Sequence, residues 1–271
     1  MEVVEQHSLA KSTTTPSEDA VVVTAYYAAV IDGATPKTAY RYPTGETPGQ
    51  LAARLISEAI ALLPPDATAL SAIGQLTQAL HQEDVLPCDR PIASCVIYST
   101  RRREVWLVGD CQFATLTAQG VMQCIDNPKR IDHILADWRR AIVTSYLSRG
   151  LMTAAEIQAN DPGRRIIQPH ITRQVRYQNA RSGHPLSYCM LDGEPVNERD
   201  ILIYPLANDV ESLILATDGY PELLPTLAAS EARLAQLLTA DPLCIGPLMG
   251  TKGIRPGCQS YDDRTYLRIS I

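Results

Sequence analysis

No stretch of this 271-residue chain approaches the roughly 20 consecutive apolar residues that a bilayer-spanning helix needs, so no membrane partner is expected. Its seven cysteines include no Cys-x-x-Cys pair, which argues against a structural zinc site and for free buried thiols in a reducing compartment. The opening "MEVVEQHSLAKSTTTP" has neither the apolar core nor the cleavage pattern of a signal peptide. A net charge of −6 leaves no broad basic surface for nucleic acid, and the triplet Arg101-Arg102-Arg103 reads as a solvated hairpin turn. There is no Gly-x-Ser-x-Gly elbow, and His7, His81, His133, His170 and His184 lie in polar surroundings, which argues against Ser-His-Asp hydrolysis. Internal repeats and low-complexity linkers are also missing. What remains is a soluble, cytoplasmic protein, with 45% hydrophobic residues to build a substantial core.

Residues 1–16 read as a polar leader. "DAVVVTAYYAAVID" reads as two short strands or one bent strand. Thr47-Pro48 then supplies an N-cap and a first helical position. Leu51, Leu55, Ile56, Ile60 and Leu63 repeat at helical spacing until Pro64-Pro65 stops the run. A second helix is expected over about 68–82. "IASCVIYST" and "EVWLVGDCQFATLTAQG" are successive strands across the arginine turn. Helical spacing returns over 129–149 and briefly over 153–159. The segment from Asp161 to Pro185 has little periodicity and is expected to be irregular. "LSYCML", "DILIYPL" and "ESLILATDG" read as strands, 230–240 as a helix and "TYLRISI" as a last strand. Strands, helices, strands, helices and strands in that order suggest a layered α+β fold.

Acidic residues recur where these strands end. Asp32 follows "AAVI", Asp110 follows "VWLVG" and Asp218 follows "SLILAT". Asp262-Asp263 precede the last strand, and Glu18-Asp19 precede the first. Any one of these is an ordinary turn residue. If the strand ends converge, the carboxylates repel one another and stay ionised only beside a cation. All-oxygen ligands favour Mg²⁺ or Mn²⁺, and two such ions about 3.5–4 Å apart can activate water against a phosphoryl group.

The ordered set "SEDA", "VIDGA", "VGDCQ", "LATDGYPELL" and "SYDDRT" resembles the motifs of the PPM family, the type 2C metal-dependent serine/threonine protein phosphatases, over residues 17–271. The resemblance implies a four-layer α-β-β-α sandwich, with two antiparallel sheets flanked by helices and metals at one end. It implies two Mg²⁺ or Mn²⁺ ions, with a weaker third. Asp32 would bridge two ions and Gly33 would offer its carbonyl. Asp218 and Asp262 would complete one shell, with Glu18 and Asp19 in the other or acting through metal-bound water. Asp110, with Glu222, would hold the third ion. Catalysis would run through Asp32, Asp218 and Asp262 by way of metal-activated water. Residues of about 150–185 resemble the family's flap. The substrate would be a phosphoprotein or a small phosphate ester.

The chain also departs from the family pattern. Thr14 stands where an arginine normally binds substrate phosphate, and Ala34-Thr35 replaces the flexible glycine after Asp32-Gly33. Gly109-Asp110-Cys111-Gln112 stands for Gly-Asp-Ser-Arg, and Asp263 stands for the final Asn. Lys11, Lys37 or Arg41 are candidates for the missing positive charge. A haloacid-dehalogenase phosphatase would need a second Asp where Ala34 stands. Two readings remain: an active metal-dependent phosphatase, and a PPM-fold regulatory or binding protein without turnover.

Overall fold

The computed structural model describes residues 1–35, 37–82, 85–180 and 183–271. Among them, ten strands form two antiparallel five-stranded sheets. The first joins β1 (Glu2–Leu9), β10 (Arg264–Ser270), β9 (Val210–Ala216), β6 (Gln112–Thr117) and β7 (Met122–Asp126), in that spatial order. The second joins β2 (Asp19–Val23), β3 (Tyr27–Gly33), β4 (Ala93–Ser99), β5 (Glu104–Val108) and β8 (Leu202–Pro205).

The alternation of each central strand explains the layers. In β3, β4 and β5, Val30, Val96, Tyr98, Val105 and Leu107 point inward and meet Phe113, Leu213, Leu215, Leu267 and Ile269 of the first sheet. Their neighbours Ile31, Cys95, Ile97, Trp106 and Val108 point outward, under helices α1 (Pro48–Ala61) and α2 (Ala69–Leu80). Both faces are buried, so these strands read as continuous apolar runs. Helix α6 (Leu227–Ala240) covers the outer face of the first sheet, where Leu234 packs with Ile214, Ala216 and Tyr266. Each fully buried Leu, Ile or Val contributes about 1.5–3 kcal/mol. The four-layer α-β-β-α sandwich is the arrangement found.

Helix α1 starts where Thr47-Pro48 places it. Thr47 caps the Gln50 amide while the Gln50 side chain accepts from the Thr47 amide, and Pro48 takes the first turn. Helix α3 (Arg130–Ser148) packs on α5 (Pro162–Arg173) through Ile131, Leu135, Ile167 and Ile171. The short α4 (Ala154–Ala159) precedes α5.

Three expectations change. Residues 2–9 are not a leader but an edge strand. β1 pairs with β10, Ser8 Oγ meets Thr265 Oγ1 at 2.9 Å, and Arg268 reaches Glu5 at 3.4 Å. Its polar look is that of a strand with a solvated face. The segment after Asp161 is not irregular, since α5 forms there. Asp161 caps it and Pro162 opens it, while Pro169 and a run of polar residues hide the Pro162, Gly163, Ile167, Ile171 stripe. "LSYCML" makes only isolated bridges, Gln178 to Tyr188 and Ala93 to Leu191, and is no full strand. All seven cysteines are free thiols; Cys95, Cys111, Cys189 and Cys244 are buried and Cys124 is exposed. Among the described residues no helix is long and apolar enough to cross a membrane.

Gly33 sits where β3 meets the start of α1. A Cβ there would lie 2.3 Å from the Gly49 carbonyl oxygen and 2.4 Å from that of Glu18, backbone on both sides. Gly33→Ala is therefore expected to destabilise the fold by about 3 kcal/mol. A Cβ on Gly74, in the middle of α2, would meet nothing within 4 Å, and Gly74→Ala is expected to stabilise by about 0.5–1 kcal/mol. Urea unfolding of both variants checks the pair; equal effects would remove the argument from close approach.

Candidate metal and phosphate site

Antiparallel pairing brings the acidic strand ends together. Asp19 opens β2 opposite Asp32, the next-to-last residue of β3, and Asp32 lies in turn opposite Ser94 near the start of β4. β5 runs against β4 and ends at the same rim, so Gly109-Asp110 follows there. Gly109 has φ +84°, and a Cβ on it would fall 2.2 Å from the Cβ of Ser94. In the first sheet, β9 ends at Ala216 opposite Tyr266 near the start of β10, which sets Asp218 beside Asp262-Asp263. Gly219 is packed so tightly that a Cβ would lie 2.0 Å from the Asp263 carbonyl oxygen. Gln112, where the family has arginine, donates to the Thr217 carbonyl at 3.2 Å and so steadies the Asp218 turn.

The rim borders a cleft of about 630 Å³ that reaches Asp32, Asp110, Asp218 and Asp262. Three lysines answer some of these acids. Lys11 Nζ lies 3.1 Å from Asp262, 3.3 Å from Asp263 and 3.6 Å from Glu18, and donates to Thr35 Oγ1 at 2.9 Å. Lys252 reaches Asp262 at 2.6 Å, and Lys129 reaches Asp110 at 2.8 Å. Burial alone would raise the Asp262 carboxyl, but Lys252 and Lys11 hold it below the usual carboxylate range. Lys11 and Lys129 stay charged, because their carboxylate partners outweigh their own burial. Removing one partner of such a pair costs about 3–5 kcal/mol, since the other is left unpaired.

Asp32 and Asp218 have no such partner. Among the described residues their carboxylates take part in no hydrogen bond or ion pair. Enclosure pushes Asp32 well above the ordinary range, and Asp218, Asp19, Asp110 and Asp262 push further. Enclosure, then Asp110 and Asp262, does the same to Asp218, although Asp218 still meets the solvent of the cleft. Burial, then Asp263, pushes Asp19 up to about 7, against a hydrogen bond from the Thr217 hydroxyl at 3.0 Å. Asp19 Oδ1 and Asp110 Oδ1 are buried without a partner.

This donor set fits a hard cation at Asp32 and Asp218, the carboxylates that lack a counter-charge. It does not fit a full set of ions. Asp262 is held between two lysines, and among the described residues no group of three or more His, Cys, Asp or Glu is placed to hold a metal ion. Glu18 is engaged by the Thr47 hydroxyl at 2.5 Å as well as by Lys11.

The expected site residues therefore divide. Asp19, Asp32, Gly33, Asp110, Asp218 and Asp262 gather at the rim, with Glu18 just inside it. Glu222 does not join them: it points into solvent and pairs with Arg233 at 2.8 Å. Arg41 is exposed, donates to the Tyr40 carbonyl and is not part of the cleft wall. Lys37 does line the cleft. Sequence reading misses Lys129 and Lys252, whose positions depend on loops that carry no motif. Lys11, a candidate phosphate contact by sequence, is instead a partner of three acids.

No family model and no curated protein matches the chain. Solved structures do. A bacterial serine phosphatase is similar over 98% of this chain and 96% of its own, at 14% identity and a TM-score of 0.50. Stp1 of Staphylococcus aureus, a serine/threonine phosphatase, is similar over 100% of this chain and 97% of its own, at 14% identity and a TM-score of 0.49. The catalytic domain of the serine threonine protein phosphatase PstP, in complex with two manganese ions, covers 98% and 97%, at 16% identity and a TM-score of 0.48. The likeness to the first is one of fold, and it is the PPM-type fold the five motifs imply.

The unpaired acids make a pH prediction. A carboxyl whose value is raised by folding binds more protons in the native state than in the unfolded one. Its contribution to stability therefore falls as pH rises from about 4 toward the raised value, about 7 for Asp19. Asp32→Asn removes one of the repelling charges. In chelator-treated protein it is expected to raise the melting temperature more at pH 8 than at pH 5. An equal effect at both values would mean that Asp32 is not crowded by its neighbours.

Proposed function

We propose that the chain is a divalent-cation-dependent phosphatase acting on phosphoserine or phosphothreonine in proteins, or on another phosphate monoester. Residues 17–271 form the phosphatase-like unit, and β1 extends its first sheet. The observation that carries this reading is a charge imbalance. Glu18, Asp19, Asp32, Asp110, Asp218, Asp262 and Asp263 crowd one end of the sandwich, and the lysines that answer them are Lys11, Lys129 and Lys252. These lysines pair with Glu18, Asp110, Asp262 and Asp263, which leaves Asp19, Asp32 and Asp218 without a cationic partner among the described residues. Oxygen ligands of this kind suit Mg²⁺ or Mn²⁺.

Asp32 and Asp218 would hold the ion. When bound, it would polarise phosphoryl oxygens and activate a water for in-line attack. The chain's own groups would do the rest. Lys11 and Lys252 keep Asp262 ionised and set fixed positive charge at the rim, where the phosphate's oxygens would arrive. Lys37 and Arg164 line the same cleft and would bind the ester's anionic oxygens in place of the arginine missing at Thr14. Helix α5 would act as part of the flap, since Arg164, Gln168 and Ile171 form a wall of the cleft.

One observation favours the second reading, a phosphate-ester-binding protein without turnover. Asp262, the third carboxylate expected to act in catalysis, is held by two lysines. The two readings separate in one assay. Hydrolysis of p-nitrophenyl phosphate is expected to require Mn²⁺ and to fall by more than about 100-fold in Asp32→Ala and Asp218→Ala. Mn²⁺ is also expected to raise the melting temperature of the wild type and not of the variants. A melting shift without any rate above the variants would select the non-catalytic reading. The absence of both would sink the metal site itself.

A further inference from the structure

A second groove opens from the carboxylate cleft and runs between α5 and the segment 251–256. It measures about 790 Å³, and the two cavities share Arg164, Gln168, Lys252, Gly253 and Arg255. Its floor includes Ile157, Leu243 and Ile254.

Its charges do not balance. Asp161 is the acid in its wall, and Asp161 is already taken by Arg139 at 2.7 Å and by the Arg164 amide at 2.8 Å. Lys252 is taken by Asp262. That leaves Arg164, Arg165 and Arg255 without a carboxylate partner among the described residues. Arg164 Nη1 donates to the Thr251 carbonyl and hydroxyl at 3.1 and 3.0 Å, while its Nε is buried and bonded to nothing. Burial, then Arg255 and Arg139, pushes the Arg164 guanidinium down to about 10, against Asp132 and Asp161. Arg165 and Arg255 are exposed. Arg139 is locked beneath them, donating to the Leu243, Cys244 and Gly250 carbonyls at 2.7–3.0 Å, so the groove has a rigid back wall.

We infer that this groove binds an acidic peptide segment flanking the phosphorylated residue presented to the carboxylate cleft. This rests on the phosphatase reading for the direction in which the peptide lies. Two observations favour a peptide over nucleic acid. Among the described residues no aromatic side chain lines the groove, so bases would find no stacking platform. The chain's net charge of −6 also gives a long polyanion little to follow beyond these three arginines. Carboxylates, by contrast, match the guanidinium fork in pairs.

Fluorescence anisotropy on the full chain, with chelator present, tests the idea. One phosphoserine peptide carries four flanking Glu residues and a second carries four Lys. The acidic peptide is expected to bind at least about tenfold tighter. The preference should vanish in Arg165→Glu/Arg255→Glu, where both side chains are exposed and make no side-chain hydrogen bond. It should persist in Arg101→Glu, on the β4–β5 hairpin at the opposite end of the sandwich. Equal binding of the two peptides overturns the proposal. So does a loss of preference in Arg101→Glu, or tighter binding of an oligothymidylate than of the acidic peptide. A protein that hydrolyses p-nitrophenyl phosphate yet shows no flank preference keeps the phosphatase reading and loses this one. The reverse result keeps the groove and discards the phosphatase.

Discussion

Repulsion among carboxylates at one end of the β-sandwich is the constraint around which the rest of the molecule is arranged. Two like charges 4 Å apart, at an effective dielectric of about 20, repel by about 4 kcal/mol. A domain's entire stability is about 5–15 kcal/mol. Seven acids could not be gathered there without counter-charge. Lys11, Lys129 and Lys252 supply part of it, at distances of 2.6–3.6 Å. The remainder falls on Asp19, Asp32 and Asp218, the carboxyls whose protons are held most firmly. The chain's own lysines thus neutralise the centre only in part.

The departures from the family motifs take on meaning in that setting. Thr35, where a flexible glycine is usual, accepts from Lys11 and helps hold it among Glu18, Asp262 and Asp263. Gln112, where an arginine is usual, braces the turn that carries Asp218. Two of these departures thus fall in contacts that brace the acidic rim.

Much of the fold was legible because it rests on local rules. Apolar runs bounded by turn residues marked the central strands, and Thr47-Pro48 and Pro64-Pro65 bounded α1. Asp32, Asp110, Asp218 and Asp262 stood out because each follows or precedes an apolar strand. The misreadings came where local signals were weak. β1 is a half-solvated edge strand, and pairing with β10 more than 250 residues away makes it a strand. Helix α5 contains Pro169, and its buried stripe is short. Glu222 had the right spacing after Asp218, but Arg233 of α6 holds it in solvent.

The sequence by itself determined the layered α+β architecture and the presence of acids at the strand ends, because periodicity and turn chemistry act over a few residues. Only the tertiary structure decided which acids meet, which lysines neutralise them and which arginines remain free. Those outcomes depend on contacts between residues far apart in the chain, such as Lys11 with Asp262 or Lys129 with Asp110. The energy of a charge is set by what folding brings beside it, and no neighbour in sequence carries that information.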